Sequence, residues 1–457
     1  MKRIVLIPLV AACIVLTFFS ADAHGESSLT DSTWQAGVAR VVITPEHPMW
    51  MAGYAARDHQ SEGIMHDLWA KALALEDADG TRAVLITTDL LGFPKELSDQ
   101  IRDQLESEHK LSRARIILNS THTHSGPVLK DALYDIYPID EKQISDIEQY
   151  SDWLADRIVA LAGEALGSME PVKIYAQNGV TRFQVNRRNN DAAELNTLTE
   201  LKGPNDHAVP VIKVLDRQGG LLAVAFGYAC HPTVLDQYEW SGDYPGFAQI
   251  ELEESHPGTC ALFFAGAGAD QNPLPRRSVG LAKQYGMELA AAVERVLEED
   301  MRELSPKLSA SYSEIDLPLN PPHTKDELLG IIQSPETADY QKRWAENMLL
   351  KYDRGDSFIS SYPYPLQVWQ LGDQTVVNMG GEVVVGYANQ LKQLLGQETI
   401  VMAYSNDVMA YIPTVTILEE GGYEGYVAQQ VYGLPNTWKP QIESMIIKEA
   451  IRLSFLK

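Results

Sequence analysis

The segment Asn119-Ser120-Thr121-His122-Thr123-His124-Ser125-Gly126-Pro127 follows an apolar run, Ile116-Ile117-Leu118. Side chains two apart on extended backbone point to the same side, so His122 and His124 converge. Two convergent imidazoles can begin a metal site or pair by hydrogen bonding, and the motif alone leaves both readings open. A third histidine, His231, ends the apolar run Leu221–Ala229 just before Pro232; proline lacks the N–H a strand needs and stops it there. By itself His231 is equally a satisfied strand-edge histidine. Glu382 stands beside Gly380 and Gly381 after another apolar strand, where it can ligate a cation or cap the positive end of the next helix. Phe263-Phe264-Ala265-Gly266-Ala267-Gly268-Ala269-Asp270-Gln271-Asn272-Pro273 runs from a strand into a loop whose glycines let backbone approach a ligand. It has no Gly-Lys-Ser/Thr and so is not a phosphate-cradling loop. Ser241–Gly246 reads as a turn, and the tyrosines from Tyr404 through Tyr411 to Tyr423 read as packing or surface residues.

The elements around these motifs alternate between strand-like and helix-like, the pattern of an α/β protein. Strands are expected at 35–44, 71–76, 82–89, 115–120, 172–177, 209–215, 221–229, 259–265 and 374–379. Several are apolar on both faces, which places them inside a covered sheet. Helices are expected at 95–108, 140–166, 281–299, 326–350, 384–395 and 440–453. The one at 140–166 carries Ile147, Leu154, Ile158 and Leu161 on one face at helical spacing. The histidine motifs, the glycine loop before Asp270 and Glu382 fall at the C-terminal ends of strands, where open α/β sheets place their ligands. The proline-containing stretch 317–325 reads as a connector. No internal repeat is evident, so residues 24–457 are expected to form one large mixed-sheet catalytic domain with flanking helices.

The chain has 457 residues, 45% of them hydrophobic and 22% charged, with a net charge of -25. That composition is globular. The negative surface argues against nucleic-acid partners, whose binding needs clustered Lys and Arg. Lys2 and Arg3, an apolar run from Ile4 to Phe19, and Ala21-Asp22-Ala23 read as a signal peptide cut after Ala23. The run is shorter than the ~20 residues a membrane span needs, and no later segment approaches that length. The mature chain is therefore expected to be exported, to a periplasm or the medium, with no transmembrane segment. Cys13 leaves with the signal; Cys230 and Cys260, in apolar runs, read as buried free thiols.

Taken in order, these pieces resemble the neutral/alkaline, non-lysosomal ceramidase family. The resemblance runs through Ala36-Gly37-Val38-Ala39-Arg40, Ile43-Thr44-Pro45, His66-Asp67-Leu68-Trp69-Ala70-Lys71-Ala72, Thr121-His122-Thr123-His124-Ser125-Gly126-Pro127, Asn186-Arg187, His231-Pro232-Thr233, Asp243-Tyr244-Pro245-Gly246, Gly381-Glu382 and the tyrosine-rich tail. It covers the family's N-terminal catalytic domain, and the C-terminal β-sandwich usual in the family is not expected here. The resemblance implies one zinc per chain, held by His122, His231, Glu382 and Tyr411. It also implies active-site roles for His124, Arg187 and Tyr423, the last twelve residues after Tyr411 as in the family's tyrosine pair.

Such a donor set suits zinc's N/O chemistry, and the activity implied is hydrolysis of an N-acyl amide bond, as in ceramide, by metal-activated water. One position departs from the family. A serine important for activity corresponds here to Asn272, which can donate a hydrogen bond to substrate but cannot act as a nucleophile. A water-based mechanism survives that change. The substrate is therefore ceramide or another acylated molecule such as a glycan or peptide; the third reading is a non-catalytic binding protein on the same scaffold. A second, structural cation near Asp243 or Asp270 is left open.

Overall fold

The computed structural model describes residues Thr33–Leu456. The expected signal peptide, with Cys13, lies outside the described residues. The same unit of structure occurs three times. The first comprises β1 (Trp34–Val42), β2 (Trp69–Glu76), β3 (Arg82–Thr88), α1 (Lys95–His109), β4 (Ile116–Ser120) and α2 (Glu141–Gly167). The second comprises β5 (Glu170–Val180), β6 (Ala208–Asp216), β7 (Leu221–Tyr228), α3 (Asp243–Ser255), β8 (Cys260–Ala265) and α4 (Val279–Leu297). The third holds β9 (Leu308–Pro318), a helical hairpin α5 (Lys325–Gln333) and α6 (Asp339–Arg354), then β10 (Ser361–Leu371), β11 (Gln374–Met379), α7 (Val385–Leu395), β12 (Ile400–Met402) and α8 (Ile442–Ser454).

In every unit the first two strand pairings are antiparallel and the third, across a helix, is parallel. The last helix of each unit packs on its first two strands. Units one and two share a sheet, joined where Trp34–Ala36 of β1 pair antiparallel with Glu170–Val172 of β5. This is the mixed sheet with flanking helices expected from the sequence.

Strand periodicity divides the apolar residues between two layers. On β2, Ala70, Ala72 and Ala74 face the helices, while Leu73 and Leu75 face a central core. On β8, Ala261 and Phe263 face the helices, while Cys260, Leu262 and Phe264 face that same core. All three units supply it, with Trp34, Leu85 and Ile117 from the first, Ile174 and Phe264 from the second, and Trp369, Val376 and Met402 from the third. Each large side chain buried there contributes about 1.5–3 kcal/mol.

The fourth strands of the units meet at the end of this core. Asn119, just inside the end of β4 and fully buried, donates from Nδ2 to the Ala403 carbonyl (2.7 Å) and to Ser405 Oγ (3.1 Å). Its Oδ1 accepts from the Ala265 amide at the end of β8 (3.0 Å). One side chain thus ties together the strand ends from which the site is built.

The expected elements are present, with three differences. The single helix expected over 326–350 is broken into α5 and α6 around Ser334-Pro335; each piece has its own start, α5 with Thr324 and Glu327 in a reciprocal cap. Proline explains the break, because it excludes helical geometry at the residue before it. The turn expected at 241–246 opens α3, whose Pro245 sits in the first turn, where no N–H partner is required. Strands β9, β10 and β12 were not anticipated: β9 is serine-rich, β10 contains Pro363 and Pro365, and β12 is only three residues long. Those prolines lie beyond the reach of β11, which pairs only from Leu366 onward, so their missing N–H groups face no ladder.

Cys230 and Cys260 are buried free thiols, as expected. Among the described residues, no helix is long and apolar enough to cross a membrane.

Candidate metal centre

The chain emerges from β4 and turns sharply, with His122 at φ 66°. A left-handed histidine is costly, and the turn is held by His122 N donating to the Leu90 carbonyl (2.9 Å). His122 Nδ1 donates to the Leu91 carbonyl (2.6 Å). Beyond β7, His231 Nδ1 donates to the Gly268 carbonyl (2.9 Å). Carbonyls only accept, so both rings carry their proton on Nδ1 and present a bare Nε2. Burial lowers the pKa of His231 to about 4, and the Arg187 charge acts in the same direction. It therefore stays neutral.

Glu382 follows β11 and pairs through its short strand Glu382–Val383 with Tyr411–Ile412. The helix-capping alternative for Glu382 is excluded. The first amide of α7, Val385 N, is bonded to Asp270 Oδ1 (2.9 Å), which leaves Glu382 free to face inward. Its Oε2 lies 3.1 Å from His122 Nε2 and 3.2 Å from His231 Nε2. Tyr411 OH lies 3.4 Å from His231 Nε2 and accepts from Arg187 Nη2 (3.1 Å). His122, His231, Glu382 and Tyr411 are each no more than 3% exposed.

Three bare acceptors, two Nε2 and one carboxylate oxygen, therefore converge, and Glu382 Oε2 has no hydrogen-bond partner. An unpaired buried carboxylate oxygen is costly. A cation among these atoms removes the cost. A tetrahedron of ligands ~2.0–2.1 Å from zinc has edges of about 3.3–3.4 Å, close to the 3.1–3.4 Å separations here. The residues present fit a zinc ion.

The other expected residues surround this cluster. His124 Nε2 is 3.4 Å from His122 Nε2. With His122 and His231, it forms a group whose ring nitrogens lie within 4.8 Å of one another. Its pKa is well below the ordinary value, through burial first and then its histidine neighbours. Gly53, at φ 105°, runs against the His124 ring, and a Cβ there would come within 2.3 Å of Nδ1. Arg187 is fully engaged: Nε with Glu424 (2.7 Å), Nη2 with Tyr411, and Nη1 with Asn272 Oδ1 (3.4 Å). Tyr423, 42% exposed, packs its ring on Tyr411 at 5.5 Å and under the Arg187 guanidinium. Thus all eight residues singled out in the sequence gather in one place.

Four more residues border the cluster, and sequence reasoning gave none of them a role there beyond packing for Tyr404. Tyr432 OH donates to Glu382 Oε1 (2.6 Å). Glu424 is shared by Arg187 and Arg188 (2.7 Å each). Tyr404 stacks on His122 with ring centroids 4.2 Å apart, and Tyr54 lies over His124 at 4.7 Å. The doublet Arg187-Arg188 was the one available signal for a buried carboxylate partner. Tyr423 and Glu424 begin a π-helical turn, a local widening common at functional sites. A surface cavity of about 530 Å³ beside Tyr150 and Trp153 does not include the cluster.

Asp243 and Asp270 are engaged by the protein itself. Asp243 accepts from the Leu235 and Tyr244 amides, and Asp270 from Val385 N and Asn186 Nδ2. Neither offers the cluster of unpaired oxygens that a second cation would need.

A mixed α/β scaffold with convergent histidines, a carboxylate and tyrosines at its strand ends defines the class. The chain belongs to the family described as neutral/alkaline non-lysosomal ceramidase, N-terminal, whose sequence profile matches residues 34–269. That match contains His122, His124, Arg187 and His231 and stops short of Asn272, Glu382 and Tyr411. Among curated relatives, neutral ceramidase A of Dictyostelium discoideum is 27% identical over 245 residues, 51% of this chain and 33% of its own length. The neutral ceramidase of Pseudomonas aeruginosa is 24% identical over 269 residues, 55% of this chain and 38% of its own length. The matched region thus spans little more than a third of these relatives. A crystal structure of the Pseudomonas aeruginosa neutral ceramidase superposes with a TM-score of 0.71 at 18% identity, covering 93% of this chain and 74% of that one. This shows a shared fold across the third unit as well.

Proposed function

We propose that the chain is an exported, zinc-dependent hydrolase that opens an N-acyl bond with a metal-activated water, with ceramide as the leading substrate. The observation that carries this reading is the convergence of His122 Nε2, His231 Nε2 and Glu382 Oε2 without a hydrogen among them, beside Tyr411. Zinc held there supplies a Lewis acid for the acyl carbonyl and lowers the proton affinity of water. The balanced reaction adds water to the carbonyl carbon and breaks the C–N bond. It gives a carboxylic acid and an amine that takes up the proton.

The residues around the cluster divide that work. Arg187, bonded to three partners, holds Tyr411 and Asn272 in place. Its charge, kept up by Tyr411 and Glu424 against the effect of burial, favours negative charge developing beside it. Tyr423, partly exposed beside Tyr411 and Arg187, is assigned to donate its hydroxyl to the acyl oxygen. His124, neutral and buried beside His122, is assigned to relay a proton to the leaving nitrogen. Asn272, anchored through Oδ1, keeps Nδ2 as a donor for substrate.

Asn272 also favours a second reading. A site with an amide where the family has a serine fits an acyl substrate other than ceramide, a glycan or peptide among them. The test is fatty-acid release from a short-chain ceramide, with the chain zinc-replete or chelated, beside an acyl-sugar ester. Zinc-dependent release from ceramide supports the first reading. A chain that holds one zinc and cleaves only the ester establishes the second. Glu382→Gln is expected to lose both zinc and turnover; wild-type turnover in that variant would overturn the ligand set.

A further inference from the structure

We propose that Tyr432 is a positioning residue for Glu382, pinning one carboxylate oxygen so that only the other faces the histidines. The inference rests on the metal-centre reading above. A carboxylate has two equivalent oxygens, and a small rotation about its last side-chain bond would let both approach one cation. Here they are not equivalent. Oε1 accepts the Tyr432 hydroxyl at 2.6 Å, the short distance of a charge-assisted bond. Oε2 has no donor and lies against His122 and His231. The Tyr432 side chain is partly buried, packs against the apolar clusters on both sides of it, and lines a small cavity with Ala52, Leu91, Leu133 and Val408, residues of the first and third units. Tyr432 follows the segment that carries Tyr423 and Glu424, so one stretch of chain sets the carboxylate, the arginine clamp and the exposed tyrosine.

A bound ion therefore meets one carboxylate oxygen, and the donor set stays four-membered. Partners that orient metal ligands typically cost about 10–100-fold in affinity when removed. The test uses the full chain and Tyr432→Phe, which removes one hydroxyl and keeps the ring. Zinc affinity is measured by competition with a chromophoric chelator, and the visible spectrum is recorded with cobalt in place of zinc. Expected are about a 10–100-fold weaker affinity and a cobalt spectrum shifted to weaker absorption as the released oxygen joins the ion. The metal-free variant is expected to melt with the metal-free parent, which separates positioning from folding. Parent-like affinity with an unchanged cobalt spectrum would overturn the role of Tyr432 while leaving the metal centre standing. A parent that binds no metal would overturn both.

Discussion

Asn119 offers the sharpest test of how the three units hold the site together. Asn119→Ala deletes two donated hydrogen bonds, to Ala403 O and Ser405 Oγ, and one accepted from Ala265 N. The three losses are not equal. Ala403 O keeps the Ser405 hydroxyl as a donor (3.0 Å), so it remains satisfied. Ala265 N loses its acceptor at the end of β8 and is left buried and unpaired. One orphaned amide costs about 1–3 kcal/mol, and each exchanged bond adds about 0.5–1.5 kcal/mol at most. The sum is a loss of about 2–6 kcal/mol. Urea unfolding measures it as a lower midpoint at unchanged slope. Asn119→Leu discriminates the cause, because it refills the volume without restoring the bonds. If hydrogen bonding is the reason, Leu is no better than Ala; if packing is the reason, Leu recovers most of the loss. A loss under about 0.5 kcal/mol in Asn119→Ala, the range of an inconsequential surface change, would refute the idea that this side chain ties the units.

Two further outcomes follow from other parts of the molecule. Burial raises the pKa of Asp243 to about 7, against about 3.9 in an unfolded chain. Between those values the folded state holds the extra proton, so this group's contribution to stability falls as pH rises. From pH 5 to pH 8 the difference in unfolding free energy between Asp243→Asn and the parent should move in favour of the variant by about 2–3 kcal/mol; a pH-independent difference would show that Asp243 does not titrate in that window. Tyr423→Phe should lower turnover with stability unchanged to within about 0.5 kcal/mol, since the residue is 42% exposed and the ring is kept. Full turnover in that variant would remove Tyr423 from the acyl-oxygen role.

Much of the fold was legible because it is encoded locally. The strand at 260–265 alternates between two buried layers, and apolar residues on both faces announce a covered strand without any knowledge of its neighbours. Helix α2 declares its start through Asp140 and Gln143, whose reciprocal hydrogen bonds are a sequence-local device. The site was legible at the histidines for a similar reason, since the ends of apolar strands can be found one at a time. What stayed hidden depends on residues far apart. The three units share pairing order but not sequence, because burial asks only for apolar character at alternate positions. Their connections between first and second strands differ freely: a loop carrying Gly53 and Tyr54, a loop carrying Arg187, and the hairpin α5–α6. Tyr432 and Glu382 are joined by a single hydrogen bond across fifty residues of sequence, and neither residue predicts the other.

That division explains why the ambiguities at single motifs vanish in the assembled molecule. Glu382 alone is as good a helix cap as a ligand, and the question is decided by Asp270 of the second unit, which takes the helix amide. His122 and His124 alone are as good a hydrogen-bonded pair as a ligand pair; in the proposed reading, the backbone carbonyls that claim Nδ1 of His122 and of His231 leave their Nε2 atoms for the metal. No unit holds more than part of the cluster. The first gives His122 and His124, the second His231, Arg187 and Asn272, and the third Glu382, Tyr411 and Tyr423. A cation bound there would bridge all three units and stabilise the folded chain in proportion to its free concentration. Folding energy and metal affinity would then be linked through the same few strand ends that Asn119 joins.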